Sequence, residues 1–97
     1  MMRTLRTELL ERLVGDARSV SSLARELGLK RGDVEADLDH ALRSAEAAGY
    51  DVEILPAKCR SCGFVFDVRK LSKPSKCPSC RGTRLFEPQI TVRRPAR

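Results

Sequence analysis

Apolar residues in the first half of the chain recur at helical spacing. Leu5, Leu9, Leu10 and Leu13 form one stripe with Arg6, Glu8, Glu11 and Arg12 on the other side, which predicts an amphipathic helix over residues 3–14 ending near Gly15. Ser19 offers its hydroxyl to an unpaired amide of a following first turn, and Val20, Leu23, Ala24 and Leu27 then share one face. A second helix is therefore predicted to run to Leu27 and stop at Gly28. A turn over residues 29–32 leads to a longer pattern in which Val34, Leu38, Leu42 and Ala45 recur at helical intervals, closed by Gly49. There the period shortens: Tyr50, Val52 and Ile54 alternate with Asp51 and Glu53, predicting a strand over residues 50–55 that Pro56 ends or places at a sheet edge.

The second half alternates more weakly. Residues 64–68 read as a strand, 71–75 as its return, and 84–92 as one or two further strands, followed by a basic tail over 93–97. No Gly/Ser-rich linker separates the strand at 50–55 from Cys59, so the two halves are expected to pack together rather than swing on a tether. Only Tyr50, Phe64, Phe66 and Phe86 are aromatic and tryptophan is absent, which excludes a large core. A C-terminal piece of about 40 residues then needs a staple.

The cysteines supply one. They stand as Cys59-Arg-Ser-Cys62 and Cys77-Pro-Ser-Cys80. Zinc takes four soft ligands at tetrahedral corners about 2.3 Å away, and each two-residue turn lets a pair of sulfurs point at one ion. The segment between Cys62 and Cys77 is long enough for a hairpin, which gives the layout of a zinc ribbon. One structural Zn2+ is expected; a rubredoxin-type iron site, disulfides or free thiols stand behind it, because sulfur tetrahedra also host iron but the spacing is tight and no tryptophan core is present. Gly63 follows the first pair where a left-handed backbone turns amides toward sulfur, whereas Arg81 follows the second, with Gly82 one place later. Lys58, Arg60, Lys76 and Arg81 are close enough in sequence to offset the net negative charge of four thiolates around a divalent ion. Phe64, Phe66 and Phe86 read as ribbon core rather than as base-stacking platforms, since the module has no other large apolar groups to bury.

Four sulfurs leave no open metal position for water or substrate, so the metal is expected to fold the module and catalyse nothing. No nucleophile with a plausible base and no phosphate-cradling glycine loop is present, and an enzyme is not expected. His40 falls on the solvated face of the third helix. Without an apolar run of membrane-spanning length or a signal-peptide pattern, the expectation is a cytoplasmic chain with reduced thiols and no membrane partner.

Charge sharpens the division between the halves. The net +6 splits into +2 over residues 1–30, −5 over 31–55 and +9 over 56–97. So basic a C-terminal module suits a polyanion such as nucleic acid, whose phosphates attract cations with little regard to sequence. Lys30, Arg31, Arg69, Lys70, Lys73, Lys76, Arg84, Arg93 and Arg94 are the candidate contacts, with Arg97 in the tail.

Residues 19–38, SVSSLARELGLKRGDVEADL, resemble a helix-turn-helix in which Ala24 permits close crossing, Gly28 makes the turn, and Val34 and Leu38 anchor the second helix. With the preceding helix, the strand at 50–55 and the paired cysteine motifs, the chain resembles small archaeal predicted transcriptional regulators that fuse a winged helix-turn-helix to a zinc ribbon. The resemblance implies an α+β fold: a three-helix winged helix-turn-helix over residues 1–56, then a small antiparallel β zinc ribbon with a basic tail over 57–97. It also implies a DNA-binding regulator, with double-stranded DNA as partner. One feature departs from that pattern: a recognition helix beginning at Lys30 and Arg31 would present Asp33, Glu35, Asp37 and Asp39, which phosphates repel. DNA contact would then fall to Arg3, Arg6, the ribbon and the tail. The alternative is an adaptor that docks RNA polymerase or a basal factor through the acidic helix, similar in layout to archaeal general factor E. A nickel metallochaperone of the hydrogenase-maturation kind also resembles the ribbon, but Met1 is followed here by Met2 rather than by that family's histidine.

Overall fold

The computed structural model describes residues 4–71 and 73–95; Met1, Met2, Arg3 and Arg97, which figure in the sequence expectations, lie outside the described residues. Helix α1 spans Leu5–Leu13 and starts where the Thr4 hydroxyl accepts a hydrogen bond from the Thr7 amide at 3.2 Å. Helix α2, Val20–Leu27, is capped in the same way by Ser19, whose Oγ accepts from the Ser22 amide at 3.1 Å. Gly28 ends it in the left-handed region at φ 68°, and the Leu29 amide folds back onto the Ala24 carbonyl at 2.9 Å. Helix α3 spans Arg31–Ala47. It begins earlier than the expected turn over 29–32 allows, because Gly32 joins its first turn. It closes with the Tyr50 amide on the Ala45 carbonyl while Gly49 sits at φ 91°.

Strand β1, Asp51–Leu55, pairs antiparallel with β4, Gln89–Arg93, in a register that sets Val52 opposite Val92 and Ile54 opposite Ile90. Between them in sequence come two short paired strands, β2 (Lys58–Cys59) and β3 (Leu85–Phe86). The link between α1 and α2 joins the larger sheet, since Arg18 and Ile90 exchange backbone hydrogen bonds of 3.0 and 2.8 Å and Val14 bridges Val92. One core runs through Leu9, Leu13, Val20, Leu23, Val34, Leu38, Leu42, Ile90 and Val92. Those are the helical stripes read from the sequence, closed on the sheet face by β4.

Several expectations for the second half change. Strand β4, which the expected division at residue 57 places with the ribbon, pairs with β1, so the metal loops lie between two strands of one sheet. Arg93 is accordingly not tail: it ends β4 and pairs with Glu53 at 3.1 Å. The strand expected over 64–68 shrinks to a single bridge between Val65 and Lys58. Asp67 breaks it, because its carboxylate accepts the Arg69 amide at 2.9 Å and its carbonyl the Lys70 amide at 3.0 Å, a local turn that outcompetes the ladder. The return expected over 71–75 is not a strand at its described positions; Leu71 instead inserts, 5% exposed, into the core of the helical half. The halves pack directly. Glu87, just past β3, reinforces the seam by accepting the Ser21 amide at 3.1 Å at the positive end of α2.

Candidate metal centre

Two loops of matching backbone present the cysteines. In the first, the Cys59 amide donates to the Phe64 carbonyl at 2.8 Å and the Gly63 amide to the Cys59 carbonyl at 3.1 Å. In the second, the Cys77 amide donates to the Gly82 carbonyl at 2.9 Å and the Arg81 amide to the Cys77 carbonyl at 2.8 Å. The equivalence extends to dihedrals: Gly63 has φ 80° and Arg81 has φ 61°, the single non-glycine with positive φ among the described residues. An L-residue there carries strain of about 1–2 kcal/mol. A Cβ on Gly82 would lie 3.2 Å from the Cys80 sulfur, a tight contact to which the sulfur would have to yield.

All four sulfurs lie within 4.8 Å of one another, with Cys59–Cys80 and Cys62–Cys77 both at 3.6 Å. A sulfur tetrahedron with bonds of about 2.3 Å has edges of about 3.8 Å, whereas a disulfide needs about 2.05 Å. The thiols are therefore spaced for a shared ion rather than for bonds to each other. Cys59 and Cys77 are buried with Ala57, Phe66 and Leu85, and the rings of Phe64 and Phe66 meet edge to face at 5.0 Å.

Electrostatics fit the same ion. The Cys62 amide aimed at its sulfur lowers the Cys59 thiol to about 6, against the opposing effect of burial. Burial acts upward on Cys77, yet the Cys80 and Ser79 amides outweigh it and that thiol is lowered too. Cys80 receives a favourable amide from Gly82, but the crowd of sulfurs led by Cys59 pushes it up to about 12. Four adjacent thiols cannot all ionise alone; a divalent cation removes that conflict and keeps each of them as thiolate. The donor set is thus that of one structural Zn2+, held by Cys59, Cys62, Cys77 and Cys80.

Residues 56–94 match the family model of the PF0610 rubredoxin-like zinc beta-ribbon domain. The solved solution NMR structure of protein PF0610 from Pyrococcus furiosus is similar over 97% of this chain and 95% of that one, at 31% identity and a TM-score of 0.77. The chain belongs to the PF0610 family. No curated protein matches it. The similarity to PF0610 covers the helical half as well as the ribbon.

The basic candidates do not form one patch. Lys30 and Arg31 are exposed at the start of α3. Arg69, Lys70 and Lys73 gather with Pro74 and Glu35 around one concavity, and Lys70 and Lys76 share another with Phe64 and Phe66. Arg69 also lies with Leu71 along α3, beside Gly32, Glu35, Ala36, Asp39 and His40, so the ribbon loop covers part of the face that would enter a groove. Arg84 sits beside β3, and Arg94 lies in a separate concavity with Thr7, Glu11 and Tyr50. His40 is exposed, as its place in the helical pattern implies. Phe86 is no core residue: it is 53% exposed, with the Arg60 guanidinium 5.1 Å from its ring centroid. Lys58 and Arg60 were legible as partners of Phe86 only once the strand pairing is known, since alternation over two residues carries almost no signal.

Proposed function

We propose that this is a non-enzymatic, cytoplasmic zinc protein of transcription that binds double-stranded DNA through the basic surface of its ribbon half. The observation that carries the reading is an asymmetry in ion pairing. In the helical half Arg6, Arg12, Arg18 and Arg43 each pair with a carboxylate, while Arg25, Lys30 and Arg31 make no ion pair among the described residues. In the ribbon half, among the described residues, Lys58, Arg60, Arg69, Lys70, Lys73, Lys76, Arg81 and Arg84 make no ion pair, and the two acids there, Asp67 and Glu87, are engaged by backbone amides. Cations left without carboxylates repel one another, and phosphates relieve that repulsion.

The element order supports a winged helix-turn-helix reading of the scaffold: α1, a link bridged to the sheet, α2, the Gly28 turn, α3, then an antiparallel strand pair. The ribbon would then be carried at the tip of the wing. The closed sulfur shell supports a structural rather than catalytic metal. The test is a titration of labelled duplex with the zinc-loaded chain at several salt concentrations. Neutralising about four phosphates gives a slope of log affinity on log salt of about −3 to −4. A flat response refutes the reading.

A second reading has its own observation. Helix α3 exposes Asp33, Asp39 and Glu46, and Arg69 and Leu71 lie across it, which favours α3 as a docking surface for RNA polymerase or a basal factor rather than a groove reader. Capture of purified polymerase by the immobilised chain without DNA supports it, and capture that depends on added DNA refutes it.

A further inference from the structure

The outer face of the ribbon's small sheet is built unlike the rest of the surface. Cross-strand partners share a face, and the register sets Lys58 opposite both Phe86 and Val65. Two positions along, Arg60 lies opposite Arg84, and its amide donates to the Arg84 carbonyl at 2.8 Å. The other face, with Ala57, Cys59, Phe66 and Leu85, is buried around the metal loops. The outer face therefore carries Lys58, Arg60 and Arg84 together with Phe86, 53% exposed, and Val65, 55% exposed.

Such a face is costly for the protein alone. Like charges opposite each other on a sheet destabilise it, and among the described residues no carboxylate stands with them: Glu87, next to Phe86, is turned to the Ser21 amide, and Asp67 closes its own turn. A large aromatic ring is left half in water. The Arg60 guanidinium at 5.1 Å from that ring covers it with a second planar group. Planar rings and guanidinium groups stack on bases, and flanking cations hold the phosphates between them; in a duplex the base faces are already stacked and out of reach.

We infer that this face, centred on Phe86 and Arg60 and flanked by Lys58 and Arg84, binds an unpaired stretch of nucleic acid. The inference rests on the nucleic-acid reading above and adds a strand state and a site to it. Phe86 stacks one base, Arg60 extends the platform, and Lys58 and Arg84 meet the backbone.

The experiment compares a labelled 12-nucleotide single strand with a duplex of the same sequence, bound by the zinc-loaded full chain and by Phe86→Ala. Loss of one stacking platform weakens single-strand binding by about ten-fold, while duplex affinity stays within two-fold and zinc content is unchanged. Equal losses for both ligands, or no loss for the single strand, overturn the inference. So does displacement of the single strand by an acidic peptide of equal charge, which would mark the face as a protein-docking surface. Amide shift mapping with the unmodified chain gives a second readout that needs no variant. Single-strand shifts centred on Lys58, Arg60, Arg84 and Phe86 support the site, and shifts confined to α3 or β4 overturn it. Duplex binding without any preference of this face for single strands sinks this inference alone; single-strand binding without salt-dependent duplex binding sinks the duplex reading alone.

Discussion

Leu71 pins the ribbon loop to the helical half, and its truncation measures that docking. The side chain is 5% exposed and belongs to the cluster of Val34, Leu38 and Leu42, yet it comes from the segment that follows the Asp67 turn. Burying a leucine contributes about 1.5–3 kcal/mol, and truncation to alanine in a sealed core costs about 2–5 kcal/mol once the cavity is included. Here Leu71 also borders the open concavities along α3, so water reaches the space left behind and the cavity contribution is small. Leu71→Ala is therefore expected near the low end, about 2 kcal/mol, which for a domain of this size lowers the melting temperature by about 8–16 °C. Thermal unfolding of the zinc-loaded chain followed by circular dichroism reads this directly. Leu55→Ala, at a side chain 67% exposed, serves as control and is expected within about 0.5 kcal/mol of the parent. If Leu71→Ala behaves like that control, the loop is not docked and its cover over α3 has no energetic basis.

Three further outcomes follow from the metal loops and the seam. Gly63→Ala is expected to weaken zinc binding and Arg81→Gly to strengthen it, each by about 1 kcal/mol or five-fold, because the two positions share a left-handed backbone. Chelator competition reads both, and shifts in the same direction contradict the equivalence of the loops. Lowering pH should release zinc. Without metal the Cys59 thiol is held down at about 6, so its contribution is complete above the ordinary thiol range and is lost as pH falls through 6; bound zinc competes with protons for the thiolates and moves that loss lower, so release is expected between pH 6 and pH 4. A colorimetric zinc assay across pH 8 to pH 4 checks this, and full retention at pH 4 contradicts it. Glu87→Gln removes the negative charge at the start of α2 and is expected to cost about 0.3–1 kcal/mol, measured by denaturant unfolding; no change would show that the carboxylate adds nothing beyond a neutral acceptor.

Local signals were readable in the sequence and long-range ones were not. Ser19 and Gly28 bracket α2 because capping and a left-handed stop act within one turn. The helical stripes through Leu9, Leu23 and Leu38 identified their buried faces for the same reason. The metal site was legible because two short cysteine turns constrain sulfur positions whatever lies between them. By contrast, nothing near residues 89–93 says that they pair with residues 51–55, since the choice depends on where the ribbon returns the chain. Asp67 reads equally well as the polar position of a strand or as a turn, and only its bonds to the Arg69 and Lys70 amides decide between them. Phe86 was assigned to the core by its chemistry, yet the register with Lys58 turns it outward.

The claim on which the rest depends is that zinc bound by Cys59, Cys62, Cys77 and Cys80 orders the ribbon. Metal analysis of the purified chain, combined with amide spectra before and after chelation, tests it most directly. One zinc per chain is expected, with loss of dispersed signals from residues 57–86 on chelation and their return when zinc is restored. A chain without bound metal, or one whose ribbon signals persist unchanged in chelator, contradicts it.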